Sequence, residues 1–271
     1  MPELAEVEYY RTQWNSGLGS AIESVSLHPG SRIFRGIPTN ALSKKLPGAS
    51  FLNSETHGKQ MLFRFSNDIW LGLHLGMTGE LRIEKPEFQP GKHDHLVLHQ
   101  QHRALVFSDP RQFGRVRFHL NSKPPEWWSN LPAALTSNAF TAARMKGFFD
   151  RHRRLSLKAV LLLQSGFPGL GNWMVDEILW RAQLHPRTPA GQVTSGELSR
   201  LWRTIRFVCR QAMKSVGRSY SGLPAGWLFH ERWNATGQCP RHGRLLVRET
   251  VGGRTTAWCS VCQPAKVHTI I

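Results

Sequence analysis

Before about residue 120 the apolar side chains come in short runs with strand-like alternation, and after about residue 140 they recur at helical spacing. The first region predicts strands at 21–27, 61–65, 70–74, 95–98, 104–107 and 115–120, behind one short helix that sets Val7, Tyr10 and Trp14 on a common face. Many short strands of this kind predict a β-sandwich or barrel. Pro124, Pro125 and the polar stretch 129–138 break both periods and read as a linker. Helices are then expected near 141–150, 155–165, 172–182 and 195–216, punctuated by Pro168, Gly169, Gly171 and Pro186. From Gly217 onward the pattern is a loop followed by a hairpin. The expected fold class is α+β and multidomain, divided as 1–125, a linker at 126–140, a helical region at 141–216 and a C-terminal segment at 217–271.

Charge adds a partner to this outline. The chain carries 35 Lys+Arg against 18 Asp+Glu, a net of +17. Residues 1–125 hold 15 basic and 11 acidic side chains, whereas 126–271 hold 20 and 7, so the excess sits in the second half. Such an imbalance selects a polyanion, and a nucleic acid is the expected partner. An anionic membrane surface is the competing reading, but no run of basic residues on an amphipathic helix favours it. Neither a secretory leader nor an 18-residue apolar run is found, so an intracellular protein, cytoplasmic or nucleoid-associated, is expected, monomeric by default.

Three of the four cysteines cluster near the C-terminus. Cys239 and His242 are separated by two residues, as are Cys259 and Cys262, with 16 residues between the pairs. Two tight turns of this kind can converge on one tetrahedral zinc ion, and four protein ligands leave no open position, so one structural Zn²⁺ is expected. Cys209 reads as a buried free thiol. The turn 168–172, rich in glycine and opening a helix, leaves backbone N–H groups for an anion such as phosphate. A turn packed only for stability, with Asn172 as a cap, fits the same residues. At the chain start, removal of Met1 would expose Pro2, a secondary amine able to attack a sugar carbon and give an iminium directly.

Seven stretches in order resemble the formamidopyrimidine-DNA glycosylase and endonuclease VIII family: PELAEVE at 2–8, HGKQMLF at 57–63, HLGMTGEL at 74–81, SDPRQFGR at 108–115, PGLGN at 168–172, DEILWRAQLHP at 176–186 and the terminal Cys/His hairpin. The resemblance implies an N-terminal β-sandwich with a flanking helix, a helix–two-turn–helix domain and a zinc β-hairpin. It implies a bifunctional glycosylase and abasic-site lyase acting on DNA with oxidised bases or abasic sites. Pro2 would be the nucleophile, Glu3 the acid that protonates the sugar ring oxygen, Glu6 a positioner of the lesion nucleotide, and Lys59 a catalytic-site phosphate contact. Lys158, Asn172 and Arg254 resemble phosphate ligands. Met77, Arg111 and Phe113 resemble the wedge that fills the gap left by an extruded nucleotide. Without that motif, Met77 and Phe113 would be read as core residues, and Glu3 and Glu6 as acids favoured at a helix N-terminus.

Four features depart from the family pattern. His242 stands where a fourth cysteine is common, Ala5 where proline is frequent, and Gln112 where a second arginine often follows. The stretch 217–227 looks short for a loop that closes over 8-oxoguanine. Activity on formamidopyrimidine and 8-oxoguanine lesions is the leading expectation. The alternatives are an oxidised-pyrimidine glycosylase of endonuclease VIII type and a non-catalytic zinc-containing DNA-binding protein.

Overall fold

In the computed structural model, residues 1–265 are described, and the last residues of the segment 217–271 lie outside them. The chain divides into two units, Met1–Leu131 and Pro132–Ile271.

The first unit opens with α1 (Leu4–Gln13), capped reciprocally: the Glu3 side chain accepts from the Glu6 backbone N–H while the Glu6 carboxylate accepts from that of Glu3. Then come β1 (Ser24–Leu27), α2 (Thr39–Lys45), β2 (Phe51–His57), β3 (Gln60–Phe65), β4 (Ile69–His74), β5 (Glu80–Glu84), β6 (Asp94–Gln100), β7 (Arg103–Ser108) and β8 (Arg115–Leu120). They form two antiparallel four-stranded sheets, ordered β1-β6-β7-β5 and β2-β3-β4-β8. Phe51, Phe63, Phe65 and Leu71 of one sheet pack with Leu96, Leu98, Leu105 and Phe107 of the other, the sandwich expected from the alternation. Trp14, fully buried, seals one end through a 3.4 Å bond from Nε1 to the Val106 carbonyl.

Two strands and one helix escaped the sequence pattern. β2 buries only Phe51 and Ser54 and carries a bulge between Phe51 and Asn53, so its alternation is broken. β5 and α2 are five and seven residues long with few apolar positions.

The stretch read as a linker contains one short helix, α3 (Glu126–Ser129), whose Trp127 packs onto Gly72 of β4. The second unit holds α4 (Ala142–Arg151), α5 (Leu157–Leu161), α6 (Asn172–Arg181), α7 (Ser195–Ser219) and α8 (Leu228–Glu231). A hairpin, β9 (Val247–Val251) and β10 (Arg254–Trp258), follows. α5 is half the expected length: Ser156 caps its start, and the chain then turns through Gly166, where even a Cβ would strike the Phe148 ring at 2.5 Å. α6 is the centre of this unit, buried along Trp173 to Trp180. α7 begins in a Thr194–Glu197 capping box and runs to Ser219, beyond the expected end. β9 begins at Val247; just before it, the carbonyl of Arg244 accepts from the Cys239 N–H at 2.7 Å and so belongs to the turn that carries Cys239 and His242.

Candidate active site and nucleic-acid interface

Three segments of the first unit meet at the chain start. Glu8 on α1 accepts from Thr56 of β2 at 2.6 Å and pairs with Arg11 at 2.6 Å, anchoring the helix on that strand. Burial alone would raise the Glu8 carboxyl, but the bonds from Arg11 and Thr56 outweigh it and lower it. β2 then turns into β3 through Gly58, at φ +61°, and Lys59. The Lys59 ammonium lies 3.9 Å from the sulfur of Met1, the residue that precedes Pro2 and Glu3. Glu3 is 3% exposed, which shields its carboxyl from bulk water, and Pro2 is half-buried. Glu6 engages Glu3, so its visible role is to hold the helix start.

The predicted wedge stands out from the surface. Met77 and Phe113 are 38% and 46% exposed, which removes the reading that they are core. The Arg111 guanidinium lies 4.9 Å from the Phe113 ring centroid, a cation–π stack that presents both together. Gly76 makes the loops meet: a Cβ there would fall 2.4 Å from the Phe113 carbonyl carbon, and its φ is +64°. The fully buried Asp109 knits them, and Gln112 between Arg111 and Phe113 holds φ +52° while its Oε1 accepts from the Arg32 N–H at 3.0 Å. His74 belongs to the same construction, taking the Gly76 N–H on Nδ1 at 3.0 Å. Burial drives its pKa down to about 4, helped by the Lys59 and Arg117 charges and opposed by Asp109. Asp109 and His74 were not singled out from the sequence, and Gln112 stood out only as a departure from the family pattern. The residues quoted in the motifs around them were the available signal.

In the second unit, Asn172 starts α6 behind Gly171, and the first turn carries no acidic residue to oppose an anion at that end. Its Nδ2 donates to the Thr255 carbonyl at 2.8 Å, across 83 residues of sequence. Arg254, the neighbour of Thr255, is exposed, so Asn172 meets the hairpin one residue from Arg254. The hairpin tip reaches α5, where a Cβ on Gly252 would sit 2.9 Å from that of Ala159.

Lys158 differs from expectation. Its side chain is fully buried, pairing with Asp176 at 2.5 Å and donating to the Asn172 carbonyl at 2.8 Å. An ammonium so enclosed between a carboxylate and a carbonyl supports the Asn172 turn instead of meeting a phosphate. Asp176 also takes Arg232 at 2.7 Å and the Ala257 N–H at 3.1 Å, so one buried acid ties α6 to β10.

Of the expected metal ligands, Cys239, His242 and Cys262 offer atoms all within 4.8 Å of one another. Cys259 lies outside that set, although it is buried and hydrogen-bonded to Cys239. Burial opposes ionisation of Cys239, but the Arg241 N–H, the Trp180 indole and Cys259 outweigh it and lower its pKa. Burial and the neighbouring Cys239 and Cys259 push Cys262 up to about 12. Cys239 is thus the first of the pair to ionise and a second thiolate beside it is opposed, the condition that a bound cation relieves. The soft sulfur and imidazole donors fit a metal ion.

The Formamidopyrimidine-DNA glycosylase N-terminal domain family matches residues 1–116, and the Formamidopyrimidine-DNA glycosylase H2TH domain family matches 132–222. The formamidopyrimidine-DNA glycosylase of Laribacter hongkongensis is 33% identical over 97% of this chain and all of its own length. That of Thermus thermophilus is 36% identical over 97% of this chain and 98% of its own. A crystal structure of the Lactococcus lactis formamidopyrimidine-DNA glycosylase, in complex with DNA containing N7-benzyl-Fapy-dG, superimposes with a TM-score of 0.87 at 26% identity. It covers 97% of this chain and all of the other. Another, of the same enzyme bound non-covalently to DNA with an abasic site, gives 0.86 at 26% identity over the same shares. By these likenesses along nearly its whole length, the chain belongs to the formamidopyrimidine-DNA glycosylase family.

Proposed function

We propose that the protein is a bifunctional DNA glycosylase and abasic-site lyase that removes oxidised bases, and that Met1 is cleaved to free the Pro2 nitrogen. The observation that carries this reading is the convergence of the chain start with the Lys59 turn, 3.9 Å from Met1 sulfur to Lys59 nitrogen. The Pro2 nitrogen attacks the deoxyribose C1′ as the bond from C1′ to the damaged base breaks. Glu3 protonates the ring oxygen, the ring opens to an iminium, and β- then δ-elimination expel the two flanking phosphates. Glu6 steadies Glu3, and Lys59 holds a phosphate near the lesion. Met77, Arg111 and Phe113 fill the space of the extruded nucleotide. Asn172 and Arg254 grip backbone phosphate, which positions the duplex without reading its bases. Zn²⁺ bound by Cys239, His242, Cys259 and Cys262 would hold the hairpin that presents Arg254.

A wider lesion range is favoured by one further observation. α7 continues through Ser219, leaving only Tyr220 to Trp227 before α8, so little chain is left to cap a flipped base. The same Lactococcus enzyme has also been crystallised with DNA containing an oxidised pyrimidine. Both oxidised purines and pyrimidines are therefore expected as substrates.

Borohydride reduction tests the chemistry. Protein shown by mass to lack Met1 should be trapped covalently on DNA bearing an abasic site. Pro2→Gly should weaken the trapping and a tag ahead of Pro2 should abolish it. Absence of any adduct with correctly processed protein would exclude the lyase.

A further inference from the structure

α7 turns a row of cations away from its packed face. Arg203, Phe207, Arg210, Lys214 and Arg218 are all exposed and share one side of the helix through their three- and four-residue spacing. From Arg203 to Arg218 the row is about 22 Å long at 1.5 Å per residue. After Glu197 in its first turn α7 contains no acid, and among the described residues none of these four cations has an ion-pair partner. Arg210 with Lys214, and Lys214 with Arg218, are like charges one turn apart, an arrangement that weakens a helix unless an anion covers it.

The row ends in a built corner. Arg203 joins Arg181 and Arg241 around a shallow cavity of about 330 Å³ that also exposes Phe207. Arg181 is held in place by Glu177 at 2.6 Å and by the Phe207 and Trp227 rings, at 5.4 and 4.6 Å from their centroids. Arg181 ends α6 and Asn172 begins it, about 14 Å away along the axis. The cationic corner is therefore separate from the Asn172–Arg254 pair.

We infer that this face of α7 binds the phosphate backbone of a second duplex segment while the first is held at the start of α6. The occupant follows from the surface. It is a straight row of long-armed point charges with one apolar side chain, and its length matches about 13 duplex charges at one per 1.7 Å. An acidic protein segment is the competing occupant.

The test loads the intact protein with a short duplex carrying a stable abasic-site analogue until its primary site is full. A fluorescent undamaged duplex is then titrated in and followed by anisotropy at several salt concentrations. The wild type should capture the second duplex. The variant R203A/R210A/K214A/R218A should lose most of that capture, with the salt slope of the residual binding flattened by about 3.6, or about 0.9 for each of the four cations. Its binding of the first duplex should be unchanged and its thermal melting no lower, since all four side chains are exposed and two like-charge pairs are relieved. Failure of the preloaded wild type to bind the second duplex, or equal capture by the variant, overturns the inference. Capture of polyglutamate but not duplex assigns the face to an acidic protein and overturns it equally. Failure to load the first duplex is read separately and bears on the primary site.

Discussion

Thr78 donates its hydroxyl to Asp109 at 2.8 Å, joining the loop that carries Met77 to the loop that carries Arg111 and Phe113. The same carboxylate accepts from the backbone of Arg111 at 3.3 Å and Gly114 at 2.7 Å. One buried acid thus sets both sides of the protruding trio. Thr78→Val keeps the shape and removes one bond, so denaturant unfolding should register a loss of about 1 kcal/mol. Asp109→Ala strands the buried Gly114 N–H and removes two further bonds, from Thr78 and Arg111, and should cost about 3 kcal/mol. With the trio acting as a wedge, Thr78→Val should slow excision from a duplex more than strand cleavage at an abasic site in single-stranded DNA, where no nucleotide needs extruding. Equal slowing on both substrates would detach this loop from base extrusion.

Gln112 accepts from the Arg32 N–H, a bond that an arginine in its place could not make, because a guanidinium has donors only. Gln112→Arg should therefore destabilise by about 1 kcal/mol, whereas Gln112→Glu keeps an acceptor and should lose less. Urea unfolding of the two variants decides the order, and a more stable arginine variant would contradict it.

Much of the fold was legible because its residues obey local rules. Met61 to Phe65 and Ala104 to Phe107 are runs with both neighbours paired, and the Cys/His spacing fixes a hairpin before any contact is known. β2 was hidden because its bulge breaks the period, and α5 appeared too long because Leu162 and Leu163 continue the apolar run past its end. Lys158 shows the deeper limit. Nothing in a sequence says whether a lysine faces solvent or a buried aspartate 18 residues away. Asp109 was invisible for a similar reason, since its work is done by long-range bonds to Thr78 and to backbone groups.

The two roles open to Lys158 separate in one comparison. Lys158→Met leaves Asp176 short of one buried partner and should lower stability by roughly 3–5 kcal/mol. At temperatures where it stays folded, its DNA-binding salt slope should match the wild type. Arg254→Ala should do the reverse, leaving melting nearly unchanged and flattening the slope by about 1. A flattened slope for Lys158→Met would return that lysine to the phosphate.

The Trp180 indole donates to the Cys239 sulfur at 3.4 Å, so the tryptophan reports on the ligand cluster. Treating zinc-loaded protein with a strong chelator should shift Trp180 fluorescence and lower the melting temperature, as hairpin order is coupled to ligand binding. Trp180→Phe should remove most of the spectral change and leave the drop in melting temperature. Protein whose melting ignores the chelator would rule out a structural ion.

His74 gives stability a dependence on acid. Its neutral ring accepts the Gly76 N–H, and its pKa in the fold is about 4, against about 6.5 in an unfolded chain. Between those values the unfolded chain binds the extra proton and the folded one does not, so stability falls as pH drops through this window. Above pH 6.5 the contribution is complete, and by pH 4 at most about 3 kcal/mol has gone. Protonation also ends acceptance at Nδ1, which releases the Gly76 turn beside Met77. Urea unfolding at pH 7 and pH 5 should show the loss in the wild type and a smaller one in His74→Asn, whose amide oxygen does not titrate. Identical losses in both proteins would place the acid sensitivity elsewhere, and His74 would then serve the turn by packing alone.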